Sequence, residues 1–459
     1  MNRKTGDYLR DDAVNARIVA AFRTGGADAW FTADHQALLG NAYKLDDYEP
    51  QKDILDVWFD SGSTHAYVIE DRYGEGVRAD LYVEGSDQHR GWFQSSLLES
   101  AGTRGQAPYD AVLTHGFALD QNGRKMSKSV GNVVDPLVII RDSGADILRM
   151  WVASTDYFED VRIGKEVLSG TSDAYRKLRN TFRYLLGALS DFTDEESVPA
   201  EQMPELERWV LHRLATLDAE LRAAAEAYEF NRYIRALTAF ANDDLSAFFF
   251  DIRKDSLYCD APTELKRRAY RTVLDHVFHA LVKWASPVLC FTAEEVWASR
   301  YPNGESVHLE TWPEIDAGWR DDPLDARWTR LKELRTAVTR AIEPLRRAKT
   351  IGSSLEARIE LKVFHEEVME LLRSADFAEI AIVSEVFAEL HEMIHSADPS
   401  TSQLSNPTAD AYFHDENDQL RIWVARTANE KCGRCWRHLP EVQEDGGLCA
   451  RCEEVVNGE

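Results

Sequence analysis

Four cysteines near the end of the sequence have the spacing of a metal site. Cys432 and Cys435 form one Cys-x2-Cys pair, Cys449 and Cys452 form a second, and thirteen residues separate the pairs. Two such pairs can meet around one ion, and four thiolates at this spacing suit tetrahedral Zn²⁺. Because four sulfur ligands leave no open coordination position, we expect one structural zinc ion and not a catalytic one. Two redox-active dithiols, or a purely structural clip, are the alternative interpretations.

Basic side chains lie next to these cysteines. They are Lys431, Arg434, Arg437 and Arg451. Four thiolates around one zinc ion carry a net negative charge, so these cations would stabilise the thiolates and leave a basic surface that a nucleic acid could contact. The other two cysteines, Cys259 and Cys290, stand alone in helical-looking sequence and are predicted to be buried apolar packing.

A second candidate site is the basic loop Gly-Arg-Lys-Met-Ser-Lys-Ser at 123–129. It contains Lys125, Ser127 and Lys128 and is flanked by glycines. A loop of this kind can fold over a polyphosphate and neutralise the charge that grows on a departing pyrophosphate. From composition alone, an exposed basic turn is the alternative.

A third group of polar residues follows an apolar segment. Glu84, Gly85, Asp87 and Gln88 lie where the segment DLYVE ends. Carboxylates and an amide at the end of a buried strand can accept hydrogen bonds from ribose hydroxyls or an amino group, and glycine permits close approach of the backbone. The alternative is a capped strand-to-helix turn with Trp92 and Phe93 in the core.

Short elements must position these groups. Asp80–Glu84 and Ala111–Thr114 have the composition of buried strands, and Trp92–Ala101 between them that of a helix. This strand–helix–strand order predicts two parallel strands with ligands at their C-terminal ends.

From about residue 165 the hydrophobic pattern becomes helical. Apolar residues share one helix face in each of three segments, namely Tyr175, Leu178, Phe182, Leu185 and Leu189, then Val210, Leu214, Leu217 and Leu221, then Val273, Val277 and Leu281. We expect a helical bundle that closes with the YPNG turn at 301–304. In Arg358–Phe364 and Leu420–Val424 apolar and polar residues alternate, which predicts the strands of a small mixed domain.

The composition is that of a large globular protein. The 459 residues contain 53 Lys+Arg and 79 Asp+Glu, a net charge of −26, and suggest about three domains. No segment approaches the roughly 18 apolar residues of a membrane helix, and the polar start has no signal-peptide core. We therefore expect a cytoplasmic protein without a membrane partner. The net negative charge does not exclude a nucleic-acid partner, because residues 328–349 are locally basic.

Several ordered strings together resemble one enzyme family. DVWFDSG at 56–62, YVEGSDQHRGWFQSSLL at 82–98 and KMSKS at 125–129 resemble the class I aminoacyl-tRNA synthetases, and among them the isoleucyl branch of bacterial type. The segments KCGRCWRH at 431–438 and LCARC at 448–452 resemble the terminal zinc module of that branch. The resemblance covers the chain from about residue 50 onward.

The resemblance implies an α/β plus all-α architecture. Its expected parts are a partial Rossmann-like parallel sheet (second half only), a helical anticodon-binding bundle, a small mixed α/β domain and a C-terminal zinc module. The implied domains are a remnant of a connective or editing insertion at 1–50, the second half of the catalytic domain with the KMSKS loop at 51–164, the anticodon-binding domain at 165–320, a C-terminal junction domain at 321–425 and the zinc module at 426–459.

The resemblance also implies a reaction. Isoleucine would attack the α-phosphate of ATP, bound with Mg²⁺, and the isoleucyl group would then pass from the adenylate to tRNA(Ile). By motif, Glu84, Gly85, Asp87 and Gln88 would hold the adenylate, and Trp58 and Trp92 would line the isoleucine pocket. Lys128, assisted by Lys125 and with Ser127 beside them, would bind the ATP phosphates and stabilise the transition state. The helical region, the basic segment 328–349 and the zinc module would contact tRNA.

One signature of the family is not found in this sequence. The string His-Ile-Gly-His, which carries the other half of the ATP site, does not occur, and no large editing insertion is recognisable. We therefore expect a fragment or a separately encoded C-terminal half of a synthetase, inactive by itself and in need of the missing N-terminal half, which another chain could supply. A non-catalytic tRNA-binding module with a vestigial KMSKS loop is the alternative function, and a valyl-type synthetase is a further one.

Overall fold

The computed structural model describes residues 1–391, 410–414 and 420–458. The chain forms two compact units, Met1–Gly116 and Phe117–Glu459. No helix in the described ranges is both long and apolar enough to cross a lipid bilayer.

The first unit contains six α-helices and two strands, besides a π-helical turn at His65–Glu70 and short 3₁₀ turns. The α-helices and strands are α1 (Asp12–Gly25), α2 (Ala29–Thr32), α3 (His35–Leu39), α4 (Val57–Gly62), α5 (Asp71–Tyr73), β1 (Ala79–Gly85), α6 (Trp92–Arg104) and β2 (Tyr109–His115). Four hydrophobic side chains of this unit are buried, namely Val14, Leu39, Tyr82 and Phe93. The apolar core of the first unit is therefore small.

The predicted strand–helix–strand unit is confirmed, but the prediction that its strands are buried is wrong, because Val83 and Val112 are exposed. β1 and β2 pair in parallel, with Leu81 opposite Ala111 and Gly85 opposite His115. Within the first unit these two strands form a two-stranded sheet. Because the strands are parallel, the polar residues after β1 lie at the edge where such sheets bind ligands.

The second unit is mainly helical. Its elements are β3 (Ala118–Leu119), α7 (Pro136–Ser143), α8 (Ala145–Ser154), β4 (Val161–Arg162), α9 (Lys165–Ala188), α10 (Glu205–Glu226), α11 (Phe230–Ala239), α12 (Phe250–Cys259), α13 (Leu265–Ala285), α14 (Cys290–Arg300), α15 (Asp322–Arg347), β5 (Ala357–Val363), α16 (Glu366–Arg373), α17 (Phe377–Ala381), β6 (Glu385–Leu390), β7 (Ala411–His414), β8 (Leu420–Arg426) and α18 (Ala450–Asn457). A π-helical stretch, Phe240–Phe249, joins α11 to α12.

The three predicted helical faces form the centre of the bundle. Phe182 on α9, Leu214 on α10 and Val277 on α13 are completely buried, as 3.6-residue periodicity requires. The same core continues through one face of α15 to β5 and β8. The predicted mixed region therefore packs directly on the bundle.

The mixed region is a four-stranded sheet with the order β6-β5-β8-β7. β5 is parallel to β6 and antiparallel to β8. Along β5, Ile359, Leu361 and Val363 are buried while the residues between them are half-exposed, which is the period-two alternation that predicted this strand. The sequence pattern of apolar and polar residues did not predict the strands β6 and β7.

Candidate functional site

The four clustered cysteines converge in the second unit. Cys432 and Cys435 lie in the loop after β8, Cys449 directly precedes α18, and Cys452 lies in its first turn. Their sulfur atoms all lie within 4.8 Å of one another, and all four residues are buried. The sulfur atoms of Cys435 and Cys449 are 3.8 Å apart. A Zn–S distance of about 2.3 Å places tetrahedral sulfur ligands about 3.8 Å apart, so the cluster has the size of a zinc site.

The electrostatics of the cluster also fit a metal ion. Although burial disfavours its thiolate, backbone N–H groups of Cys435, Cys449 and Arg434 lower the pKa of Cys432 to about 6. Burial raises the pKa of Cys435 and of Cys449. Four buried sulfurs so close together need a cation to become thiolates together. The donor set therefore fits Zn²⁺.

A glycine lets the two cysteine pairs approach each other. A Cβ atom at Gly433 would lie 2.5 Å from the carbonyl oxygen of Gly446, a distance that no side chain tolerates. Gly446 itself has φ +86°, in the left-handed region that favours glycine. Cys259 packs against this cluster with 5% exposure, so its prediction as buried packing is confirmed, whereas Cys290 is only half-buried.

Two of the cations beside the cluster have structural partners. The Arg434 guanidinium donates to the carbonyl oxygens of Tyr258 and Cys259 at the end of α12. Arg451 pairs with Asp255 at 2.7 Å and with Asp260 at 2.9 Å. The prediction that these cations form an open basic surface is therefore wrong for Arg434 and Arg451, because they hold the zinc module on α12.

The KMSKS loop follows β3 in the second unit. A backbone bridge joins Leu119 to Lys125, and Gly123, with φ +76°, forms the turn between them. Ser127 Oγ accepts a hydrogen bond from the N–H of Val130 at 3.3 Å. The loop is thus a folded turn and not an extended tail.

The two lysines of this loop differ in their surroundings. The Lys125 ammonium lies 4.7 Å from the centroid of the Phe117 ring, a cation–π distance. Lys128 is exposed, and within the described part of the chain no hydrogen bond or ion pair is found for its ammonium. Lys128 is therefore free to bind an anion.

Sequence reasoning missed two residues that hold this loop, Asp120 and Asn132. Asp120 is buried and accepts hydrogen bonds from the N–H groups of Asn122 and Arg124, each at 2.9 Å. The side chain of Asn132 donates to Asp120 at 2.9 Å and accepts from the N–H of Ser127 at 2.9 Å. The available signal was their position, since Asp and Asn often hydrogen-bond to nearby backbone in loops.

The adenylate candidates surround the end of β1 in the first unit. Glu84 and Gly85 end the strand, and Asp87 and Gln88 lie in the 3₁₀ turn Ser86–Arg90 that follows. Gln88 accepts from the N–H of Trp92 at 3.4 Å and donates to Asp87 at 3.3 Å. A Cβ atom at Gly85 would lie 2.8 Å from Asp87 Oδ1, so glycine accommodates the folded-back carboxylate. Glu84 is half-buried and Asp87 exposed.

The two candidate tryptophans lie on helices that contact each other. Trp92 begins α6, is half-buried, and its ring centroid lies 5.0 Å from that of Tyr82. Trp58 lies on α4 and is 48% exposed. A Cβ atom at Gly62 of α4 would lie 2.9 Å from the Cβ of Ser95 on α6, so the two helices pack closely. Phe93 is buried in the core, unlike Trp92.

The basic segment 328–349 is less open than its composition suggests. It forms most of α15, where Lys332 pairs with Asp244 at 2.7 Å and Arg335 pairs with Asp251 at 2.6 Å. These two cations bind the helical bundle, so they are not available to contact tRNA as the resemblance implied for this segment.

A more exposed basic face lies on α9, and sequence reasoning did not single it out. Arg176, Arg179 and Arg183 are all exposed, and their spacing of three and four residues places them on one face of the helix. Lys177 beside them is also exposed. The regular spacing of cations in this segment was the available signal.

Comparison with known proteins assigns the chain to a family. Residues 1–164 match the family model of class I tRNA synthetases (I, L, M and V), residues 207–361 that of the anticodon-binding domain of tRNA ligases, and residues 429–455 that of the zinc finger found in FPG and IleRS. An isoleucine–tRNA ligase from Zymomonas mobilis is 61% identical over 99% of this chain. The chain belongs to the class I aminoacyl-tRNA synthetases.

The relatives of this synthetase chain are considerably longer than the chain. It spans 46% of the Zymomonas mobilis protein and 44% of an isoleucine–tRNA ligase from Caulobacter vibrioides, to which it is 50% identical over 97% of its own length. Its fold is similar to that of a LeuRS from Agrobacterium radiobacter K84, solved in a ternary complex with tRNA and LeuAMS. That match has a TM-score of 0.50 at 15% identity and covers 76% of this chain and 43% of the other.

The family also accounts for the cysteine cluster. The zinc-finger match covers all four cysteines, whose buried sulfur atoms converge as a zinc site requires. The prediction of one structural Zn²⁺ is therefore confirmed. When bound, the ion would join the two ends of the zinc module and contribute to its folding.

Proposed function

We propose that this chain is the part of an isoleucine–tRNA ligase that supplies the KMSKS loop, one end of the adenylate site, the anticodon-binding bundle and the zinc module. The observation that carries this proposal is the 61% identity over 99% of the chain to a protein named isoleucine–tRNA ligase. The reaction would join isoleucine to ATP, with Mg²⁺, to form isoleucyl-adenylate and pyrophosphate, and then transfer the isoleucyl group to tRNA(Ile).

In this proposal Lys128 stabilises the leaving pyrophosphate. Its exposed ammonium can approach phosphate oxygens, and a fixed cation lowers the free energy of charge that develops in the transition state. Lys125 assists, and Ser127 adds a hydroxyl to the same loop. Mg²⁺ would be bound chiefly by the ATP phosphates, because this ion retains several waters and few protein ligands in nucleotide sites.

Glu84, Asp87 and Gln88 would hold the adenylate. Their acceptor groups lie at the C-terminal end of a parallel strand, where carboxylates bind ribose hydroxyls in many α/β proteins. Gly85 would leave room for the ligand to approach the backbone. Trp92 and Trp58 would provide the apolar contacts for the isoleucine side chain, and the half-exposed surface of each ring supports this role.

The RNA-binding surface that we propose centres on α9 and the zinc module. The exposed cations of α9 have the spacing to contact successive phosphates. On the zinc module, Lys431 is exposed and lies 5.4 Å from the centroid of the Trp436 ring, which is itself 62% exposed. An exposed aromatic ring beside a cation can stack on an unpaired base.

Isoleucine-dependent exchange between ATP and pyrophosphate tests this proposal. We expect no exchange from the chain alone, because it lacks the His-Ile-Gly-His string, and exchange when a synthetase half that contains this string is added. In the complemented enzyme, Lys128→Ala should lower the exchange rate on the order of 10²–10³-fold. Lys4→Ala, which removes a lysine that is 85% exposed in the first unit, should leave the rate unchanged.

The same assay separates the alternatives. If the complemented protein binds tRNA(Ile) but never exchanges pyrophosphate, the chain is a non-catalytic tRNA-binding module. If valine supports exchange as well as isoleucine does and tRNA(Val) is the better acceptor, the valyl assignment is correct. Either outcome refutes the proposed isoleucine ligase activity.

A further inference from the structure

The conformation of the KMSKS loop depends on a buried carboxylate that precedes it. Asp120 is 5% exposed. It accepts hydrogen bonds from the backbone N–H groups of Asn122 and Arg124, and these bonds fix the turn that leads into the loop. Its second carboxylate oxygen accepts from the Arg124 guanidinium at 3.2 Å and from the Asn132 amide at 2.9 Å. A buried carboxylate with four donors cannot move without leaving charged or polar groups unpaired.

The amide of Asn132 links this carboxylate to both sides of the loop. Asn132 Nδ2 donates to Asp120 and to the carbonyl oxygen of Lys125, at 2.9 and 3.2 Å, while Oδ1 accepts from the N–H of Ser127 at 2.9 Å. One side chain thus satisfies two backbone groups within the KMSKS string. The amide can do this because its nitrogen carries two N–H donors and its oxygen is a separate acceptor.

Apolar packing anchors the same loop from inside. Met126 packs against the small cluster of Ile139, Trp151 and Ile163. Because the side chain of Met126 is packed, the backbone of Lys125 and Lys128, which flank Met126 and Ser127, is also constrained. The side chains of Lys125 and Lys128 are exposed and can still move towards a ligand.

We propose that Asp120 and Asn132 are positioning residues of the adenylation reaction, which hold the backbone of residues 125–127 so that the two lysines of the loop are directed at the phosphates of ATP. This inference rests on the proposed function. The hydrogen bonds from Asn132 and from the N–H of Arg124 lower the pKa of Asp120 to about 2, so its carboxylate is ionised at neutral pH. Neither side chain needs to touch ATP for this role.

An exchange of the two side chains tests the pairing. Asp120→Asn removes the carboxylate, and Asn132→Asp places two carboxylates against each other, which costs free energy. The double variant Asp120→Asn/Asn132→Asp again pairs one amide with one carboxylate. Asp142→Asn is the matched control, since Asp142 is exposed and, among the described residues, pairs with its neighbour Arg141.

Hydrogen exchange of the loop amides is measured first, on the chain itself. We expect each single variant to lose protection at Ser127, the double variant to regain part of it, and the control to match wild type. Helix content by circular dichroism shows whether each variant folds. If a folded Asn132→Ala variant, which lacks the oxygen that accepts from the Ser127 N–H, keeps wild-type protection at Ser127, the positioning role is refuted.

Steady-state kinetics of the complemented enzyme are measured second. We expect kcat for pyrophosphate exchange to fall on the order of 10–100-fold in each single variant, because small misplacement of a catalytic group has effects of this size. The KM for isoleucine should not change, and the double variant should recover part of the loss. Equal losses in kcat and in isoleucine affinity, or no recovery, would indicate a general structural role. If wild type shows no isoleucine-dependent exchange, the proposed function fails, while hydrogen exchange still decides whether these residues hold the loop.

Discussion

A buried ion network joins the helical bundle to the sheet region, and its removal provides a quantitative test of the structure. The Arg253 guanidinium on α12 donates to both carboxylate oxygens of Glu207 on α10, at 2.6 and 2.9 Å. It also donates to Glu379 on α17 at 2.9 Å. The side chains of Glu207 and Arg253 are 0% and 5% exposed. Burial alone disfavours the charged guanidinium, but attraction to Glu207 and then Glu379 raises the pKa of Arg253 above its usual value.

Glu207→Gln should be strongly destabilising although it preserves shape. The amide oxygen can accept a hydrogen bond from one guanidinium N–H group. The NH₂ group of the amide then faces the other N–H group, so two donors oppose each other. Breaking a buried pair by removing one charge typically costs about 3–5 kcal/mol. Since one hydrogen bond is retained here, we expect a loss near the lower end, about 3 kcal/mol in the free energy of unfolding.

Replacing both partners should cost much less. In the double variant Glu207→Leu/Arg253→Met no buried charge is left unpaired at this position, and Glu379 keeps its hydrogen bonds to Lys266 at 3.1 and 3.2 Å. Replacement of a whole buried pair by apolar side chains is often neutral, so we expect a loss below about 1 kcal/mol.

Urea unfolding of the zinc-loaded chain, followed by its helix content, measures these differences in the free energy of unfolding. They appear as shifts of the transition midpoint, while the slope of free energy against urea concentration stays constant. Glu220→Gln is the matched control, because Glu220 pairs with Arg232 on the surface, where the two side chains are 41% and 46% exposed. It should cost less than about 1 kcal/mol. Two results would contradict the reasoning: a Glu207→Gln loss as small as that of the control, or a double variant less stable than Glu207→Gln.

Three further predictions concern the zinc cluster, the KMSKS loop and the surface of α9. The chain should bind one zinc ion, measured by metal analysis after dialysis, and Cys449→Ser should weaken this binding; full zinc retention by the variant would argue against a four-cysteine site. Because the pKa of Asp120 is lowered in the folded chain, its contribution to loop order is complete above its unfolded pKa of 3.8 and is lost as the pH falls towards about 2; hydrogen exchange at pH 5, 3 and 2 checks this, and uniform protection would contradict it. Arg179→Glu should weaken binding of tRNA(Ile) and reduce the salt dependence of the affinity by about one unit of slope, whereas the exposed Arg23→Glu in α1 should change neither; equal effects of both would show that only net charge matters.

The candidate site was predicted from sequence wherever its signals are local. Four cysteines in two closely spaced pairs identified the zinc site, because both pairs lie in a segment short enough to converge on one ion. Alternation and helical periodicity also located β1, β2, β5 and the buried faces of α9, α10 and α13, since these patterns depend on neighbours within one element. β6 and β7 were missed because both are edge strands of the sheet, and β6 has no fully buried side chain that would mark an apolar face.

What the cations do was decided only by tertiary structure. In the sequence, Arg434, Arg451, Lys332 and Arg335 are indistinguishable from cations available to RNA, yet all four pair with groups far away in the chain. The link between Asp120 and Asn132 likewise appears only once the loop is folded. Residue types and spacing determine which chemistry is available, whereas the packing of distant segments determines which charges are already neutralised, because an ion pair depends on separation in space and not along the chain.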